Sequence, residues 1–160
     1  MICLDTNVVI GVINGRNPIL RARLGEHIRL GTSIILPVIT LYEMRYGIER
    51  SEPRQASRLL LDRFLESGIA VVPFEPADAD HAGEIRAHLE QQGTPIGAWD
   101  YLIAAQARSR DAMLVTANCR ELGRVPGLAV ADWRHENAPE YEPDNSSGLR
   151  ILKSGPPVSQ

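Results

Sequence analysis

A chain of 160 residues that is 44% hydrophobic and 23% charged has room for one compact domain with a core of useful size. Its formal net charge of −3 argues against a protein that grips nucleic acid by bulk positive charge. Any polyanionic ligand must meet a local basic face or a bound cation. Apart from histidine, every basic residue except Lys153 is an arginine, and the two cysteines, Cys3 and Cys119, form no disulfide framework. The chain shows neither the basic start nor the long apolar run of a signal peptide. Its longest apolar stretches, such as Ile34–Ile39, fall far short of a membrane span. These features predict a reduced, cytoplasmic protein with no membrane association.

In chain order, Ile2–Leu4 reads as a short buried strand running into Asp5, Thr6 and Asn7, and Val8–Ile13 as a helical run. Asn17 and Pro18 suit the N-cap and first position of a helix whose apolar stripe is Ile19, Leu20, Leu24, Ile28 and Leu30. Ser33–Leu36 is a second strand, followed by a helix in which Thr40-Leu41-Tyr42-Glu43 matches a capping box. Leu59, Leu60, Phe64 and Leu65 offer another helical face, Ala70–Val72 a third strand, and Ile85 and Leu89 a further helix. Asp100 stands ahead of the helical stretch Tyr101–Arg110, whose Leu102, Ile103, Ala104, Ala105 and Ala107 predict burial. Met113–Val115 and Leu128–Val130 complete the strands, with Thr116-Ala117-Asn118 a turn between strand and helix. Strands alternating with helices predict an α/β fold, a mainly parallel central sheet with helices on both faces. Past Trp133 the composition turns to Glu, Asp, Pro, Ser, Asn and Gly. Residues 135–160 therefore read as a flexible C-terminal tail on a domain spanning 1–134.

Asp5, Glu43 and Asp100 carry the functional signal. Each alone has a structural explanation as a helix cap. Together, all three fall at predicted helix beginnings, and in a parallel α/β sheet such positions face one crevice at the carboxyl ends of the strands. Converging carboxylates repel by roughly 4 kcal/mol per close pair at an effective dielectric near 20, so they call for a cation. Oxygen donors without His or Cys suit Mg²⁺ or Mn²⁺, and such ions activate water against phosphodiesters. Thr116 and Asn118 are candidate site residues at the end of a neighbouring strand, open also to the reading of an ordinary turn. An amide at 118 offers only a neutral oxygen and an NH₂ donor.

Read as a set, four segments resemble the PIN-domain ribonucleases, and within them the VapC toxins of bacterial toxin–antitoxin pairs. They are Leu4-Asp5-Thr6-Asn7; Ile39 through Gly47, with the core Tyr42-Glu43-Met44-Arg45-Tyr46; Pro95 through Ala105, with Gly97-Ala98-Trp99-Asp100; and Leu114-Val115-Thr116-Ala117-Asn118 followed by Arg124-Val125-Pro126-Gly127-Leu128 and Asp132-Trp133. The resemblance implies a PIN-like three-layer α/β/α sandwich over residues 1–134. It implies catalysis by Asp5, Glu43, Asp100, Thr116 and Asn118, with Asp5, Asp100 and Glu43 as ligands of Mg²⁺ or Mn²⁺. The implied activity is endonucleolytic cleavage of RNA, tRNA among the candidates, leaving a 5′-phosphate. The implied partners are a cognate VapB-like antitoxin and a second copy in a homodimer, assembled into a toxin–antitoxin hetero-oligomer. Two positions depart from the pattern: Asn118 stands where many PIN domains carry a fourth acid, and Leu122 where an aromatic is common.

On the same residues, Thr6, Asn7, Thr116 and Asn118 are expected to support the carboxylates. Arg45, Arg86, Arg120 and Arg124 are candidates for contacting phosphates. Three rivals remain at this level. A haloacid-dehalogenase-like phosphatase would need an acid where Asn7 stands. A structure-specific DNA nuclease would need further DNA-binding modules. A catalytically inactive PIN-like protein that binds RNA or a partner would take Asn118 as the mark of lost activity.

Overall fold

The computed structural model of the chain describes residues 1–136, 140–143 and 149–152. The elements run β1 (Ile2–Leu4), α1 (Thr6–Ile13), α2 (Pro18–Arg29), β2 (Ile34–Pro37), α3 (Val38–Glu49), α4 (Arg54–Leu65), β3 (Ala70–Val72), α5 (Pro76–Gln91), α6 (Ala98–Arg108), β4 (Met113–Val115), α7 (Cys119–Leu122), β5 (Val130–Ala131), β6 (Glu140–Pro143) and β7 (Leu149–Leu152). The sheet has the order β3-β2-β1-β4-β5-β6-β7. All pairings from β3 to β5 are parallel, and β5–β6 and β6–β7 are antiparallel.

Strand periodicity builds the layers. Side chains alternate between the faces of a strand, and the core divides accordingly. Ile2, Leu4, Ile34, Leu36, Val115 and Ala131 pack with Val8, Val9, Leu24, Met44 and Phe64 on one face. Cys3, Ile35, Leu114 and Val130 pack with Ile85, Leu89, Ile103 and Ala104 on the other. Helices α1 to α4 thus cover one side and α5 to α7 the other, the three-layer α/β/α arrangement expected. Cys3 is fully buried in this packing, as a small hydrophobe should be. Among the described residues no helix is long and apolar enough to cross a membrane.

The chain runs from β1 outward through β2 to β3, then returns so that β4 pairs on the other side of β1. Crevices form outside the carboxyl ends of parallel strands where the winding reverses in this way. Here that point lies between the ends of β1 and β4, at Asp5 and Thr116, where the Asp5 N–H donates to the Val115 carbonyl at 3.0 Å.

Several expectations need correction. The Thr40–Glu43 capping box does not form, because α3 begins at Val38 behind Pro37; the Thr40 hydroxyl instead donates to the Leu4 carbonyl at 3.4 Å. Asp100 does not cap α6, since Gly97 is the N-cap and Asp100 sits within the first turn. Helix α4 buries Leu61 and Phe64 and leaves Leu59 and Leu60 exposed, as three consecutive leucines at 59–61 leave the phase of a stripe undefined. On α2 the buried residues are Leu20 and Leu24, with Ile28 and Leu30 outside. Of the segment read as a flexible tail, 140–143 and 149–152 are strands, and β6 covers the edge that β5 would otherwise expose. The remainder of 137–160 lies outside the described residues.

Candidate active site

Asp5 serves both readings offered for it. Its extended backbone and side chain cap α1, with the Thr6 N–H donating to Oδ1 at 2.7 Å. Its Oδ2 accepts from the Thr116 hydroxyl at 2.7 Å. Thr116 is completely buried, and its oxygen accepts the Asn118 N–H at 2.9 Å, so its own proton is free to point at Asp5. Burial of Asp5, at 4% exposure, pushes its carboxyl above the usual range, and the bonds from Thr116 and Thr6 pull the other way.

Thr6 ties the second acid in: its hydroxyl donates to Glu43 Oε2, a contact 37 residues apart in sequence. Glu43 is half-buried on α3 and Asp100 half-buried on α6. The Asp100 carboxyl is pushed up to about 6, first by desolvation and then by the negative charges of Asp5, Glu43 and Glu121. The N–H of Gly97 partly offsets this. A Cβ on Gly97 would lie 2.9 Å from Asp100 Oδ2, so the glycine leaves the space in which that carboxylate rests. Asp5, Glu43 and Asp100, from three separate parts of the chain, therefore share one electrostatic site.

Glu121 is the acid that the sequence reading missed. It lies on α7, half-buried, and Asn118 Nδ2 donates to its Oε2 at 3.0 Å. Asn118 thus holds a carboxylate rather than replacing one. The signal was present as an Asn followed three residues later by a Glu, a helix-start spacing. Leu122, beside it, is 1% exposed and fills core space. Asn7 is exposed on the first turn of α1 and makes no hydrogen bond to the acids among the described residues.

The arginines divide. Arg45, Arg120 and Arg124 are exposed and pair with no acid among the described residues. Arg86 is engaged, bonding Glu90 at 2.8 Å and lying over the Tyr101 ring. Arg108 and Arg134 are likewise tied to Glu84 and Asp132 at 2.6 Å.

No three His, Cys, Asp or Glu side chains among the described residues form a closed ligand set. The donor chemistry nevertheless fits a hard cation: four carboxylates and no imidazole, with the Asp100 carboxyl raised by desolvation first and by its acidic neighbours second. Mg²⁺ characteristically keeps several waters and takes only one or two carboxylates directly, so an open arrangement suits it. Such a cluster can bind a divalent ion, hold a water beside a phosphodiester and accept its proton.

Residues 2–128 match the PIN domain family. The chain is 40% identical over 130 residues to a Shigella flexneri protein named tRNA(fMet)-specific endonuclease VapC, covering 81% of this chain and 96% of that one. It is 37% identical over 130 residues, with the same coverage, to ribonuclease VapC2 of Haemophilus influenzae. Among solved structures, VapBC2 of Rickettsia felis bound to a DNA fragment from its promoter superposes with a TM-score of 0.78 at 33% identity, covering 83% of this chain and 99% of that one. DNA-bound VapBC of Salmonella typhimurium gives 0.76 at 34%, with the same coverage.

Proposed function

The chain belongs to the PIN-domain family, and on that premise we propose that it is the toxin of a VapBC-type pair, an endoribonuclease that hydrolyses RNA phosphodiester bonds with Mg²⁺ or Mn²⁺. The observation that carries this reading is the convergence of carboxylates from separate parts of the chain: Asp5 held by Thr116, Glu43 by Thr6 and Glu121 by Asn118, with the Asp100 carboxyl raised by desolvation and by the charges of the other three. Acids gathered in this way suit a cation.

Asp5, Asp100 and Glu43 would hold the ion, with Glu121 as a further carboxylate beside Asp100. A bound Mg²⁺ or Mn²⁺ supplies charge neutralisation and makes a nearby water more acidic at neutral pH. The chain's own groups do the rest. Thr116 and Thr6 fix the Asp5 and Glu43 carboxylates in place, Asn118 fixes Glu121, and Glu43 orients the attacking water and accepts its proton. Water oxygen joins phosphorus as the P–O3′ bond breaks, and the departing 3′ oxygen takes a proton from solvent, which produces a 5′-phosphate and a 3′-hydroxyl. Arg45, Arg120 and Arg124 are the exposed cations available to the RNA backbone.

The relatives' names make tRNA the first substrate to test. A VapB-like antitoxin is the partner, in a hetero-oligomer built on a toxin homodimer. A cavity of about 230 Å³, lined by Ile10, Ile13, Met44, Ile48 and Leu60, opens beside Glu43; it suits an apolar segment of that antitoxin. The reading of an inactive PIN-like binder took Asn118 as the mark of lost activity, and the Glu121 carboxylate that Asn118 holds speaks against it.

The test is cleavage of bulk tRNA and total RNA by the purified chain with Mg²⁺ or Mn²⁺, beside EDTA and Asp100→Asn controls. New 5′-phosphate ends that require both metal and Asp100 are expected. Equal cleavage by the variant would sink the assignment.

A further inference from the structure

The carboxylate site has an aromatic approach that its chemistry does not use. Tyr42, Tyr46 and Trp99 are 49%, 53% and 45% exposed, although rings of this size usually contribute to cores or to interfaces. Their placement is specific. Tyr42 immediately precedes Glu43 on α3, and Trp99 immediately precedes Asp100 on α6, so the rings sit on the same two helices as two of the site acids. The Trp99 and Tyr42 ring centroids are 5.3 Å apart, and Tyr42 and Tyr46 are 6.3 Å apart with planes only 15° from parallel. The Arg50 guanidinium lies 5.6 Å from the Tyr46 ring centre. Residues 42, 46 and 50 repeat at helical spacing and form one stripe. The result is a continuous track across three rings to a cation, laid along the two helices that carry Glu43 and Asp100.

Such a track answers a difficulty in the proposed reaction. An RNA strand reaching Asp5, Glu43, Asp100 and Glu121 brings phosphates towards carboxylates, and the chain as a whole carries a net charge of −3. Bases are uncharged and each offers a π face, so stacking on aromatics holds a strand without adding to that repulsion. Paired bases keep their faces within the duplex, whereas unpaired bases can be splayed onto side chains. Arg50, at the far end, places positive charge where the backbone leaves the acidic region.

We propose that Trp99, Tyr42 and Tyr46 form a stacking platform for unpaired nucleotides of the RNA substrate, with Arg50 beneath the departing strand, and that this platform selects single-stranded or looped RNA over duplex. The proposal rests on the nuclease reading for its substrate and goes beyond it in naming what the site recognises. A second copy of the chain seated on the same rings is the rival occupant.

Binding is measured on the full chain carrying Asp100→Asn, so that RNA survives. The probes are an oligoadenylate of roughly 12 nucleotides and an abasic oligomer of equal length and charge. The platform binds oligoadenylate about tenfold more tightly than the abasic strand. Trp99→Ala or Tyr42→Ala removes that preference while leaving abasic binding unchanged, and Trp99→Phe retains most of it. Equal affinity for both probes, or equal loss on both, overturns the proposal. A second readout needs no truncation. The chain has two tryptophans, and Trp133 is 1% exposed against His27. Fluorescence missing from the Trp99→Phe protein therefore belongs to Trp99. Quenching of that signal by oligoadenylate but not by the abasic strand is expected, and its absence overturns the platform.

With Asp100 intact, Trp99→Ala raises KM for unpaired RNA about tenfold and leaves kcat within about twofold. Cleavage with unchanged KM rejects the platform and keeps the nuclease. Base-selective binding without any metal-dependent cleavage rejects the nuclease and keeps the platform. Sedimentation showing that Trp99→Ala dissociates a dimer assigns the rings to self-association and overturns the proposal.

Discussion

The two ends of α6 handle charge in opposite ways. At its first turn Asp100 meets the charges of Asp5, Glu43 and Glu121, and its carboxyl is pushed up to about 6, first by desolvation and then by those charges, with the Gly97 N–H pulling the other way. Just past its last turn, Arg110 meets the buried carboxylate of Asp78 at 2.5 Å. Ser109 and the Glu75 N–H donate to the same carboxylate, the latter at 2.8 Å. Burial raises the Asp78 carboxyl, but these partners together hold it below the ordinary range. One end of α6 thus carries an unsatisfied acid, and its other end meets a saturated one that belongs to α5. The difference separates a group kept available for a ligand from a group committed to holding α5 against α6.

The largest effect expected from breaking the first end is on activity. Asp100→Asn removes a charged oxygen donor and should lower metal-dependent RNA cleavage on the order of 10³-fold, about 4 kcal/mol of barrier. The measurement is kcat/KM on tRNA in Mn²⁺. Breaking the second end should do the reverse. Asp78→Ala removes the nearest carboxylate of Arg110, whose side chain is 18% exposed and keeps Glu75 at 3.6 Å, and should cost about 3 kcal/mol of stability. That lowers Tm by roughly 6–12 °C while kcat, measured below the transition, stays within about twofold. A large loss of kcat in a folded Asp78→Ala protein would show that the two ends are not independent.

The sequence made the first end more legible than the second. Strand β1, the Asn17-Pro18 helix start and the strands at 70–72 and 113–115 are local patterns, and they fall where expected. Asp5, Glu43 and Asp100 were legible because each follows a recognisable segment, and the topology then brings them together. Glu121 is not legible in this way, since it stands inside a short helix, and only the fold shows that the Asn118 amide holds it. Asp78 and Arg110 lie 32 residues apart, and no local periodicity links such a pair. The Thr40–Glu43 box failed for a similar reason: both side chains bond to β1 and its exit, tertiary contacts that outweigh a local cap.

Gly97 offers a finer test of the active end. Its φ of −61° is open to any residue, so Gly97→Ala should leave the backbone unstrained and should even favour folding slightly. The new Cβ would meet Asp100 Oδ2 at 2.9 Å and displace it. Cleavage should fall about tenfold, with a weaker Mn²⁺ dependence and Tm unchanged or higher. Full activity would mean that the Asp100 carboxylate moves at no cost, and the contrast between the two ends would lose its geometric basis.

The smallest effect is the pH dependence of stability without metal, and it should carry opposite signs at the two ends. Asp100 has a folded pKa of about 6, above the unfolded value of about 4. Between those values the folded state holds a proton that the unfolded state has lost, so stability falls as pH rises through that window. Asp78 is shifted downward, so its contribution is complete above the unfolded value and disappears as pH falls through the folded one. Asp100 is half-exposed, and screening limits its share to about 1 kcal/mol, roughly 2–4 °C in Tm. In EDTA, Asp100→Asn should therefore melt higher than the parent at pH 7 and match it near pH 4. Mn²⁺ should raise the parent's Tm above pH 6 and leave the variant's nearly unchanged, since a cation that binds only the folded state stabilises it through the charges it neutralises. A parent whose Tm in EDTA does not change between pH 4 and pH 7, relative to Asp100→Asn, would place Asp100 among the satisfied acids with Asp78.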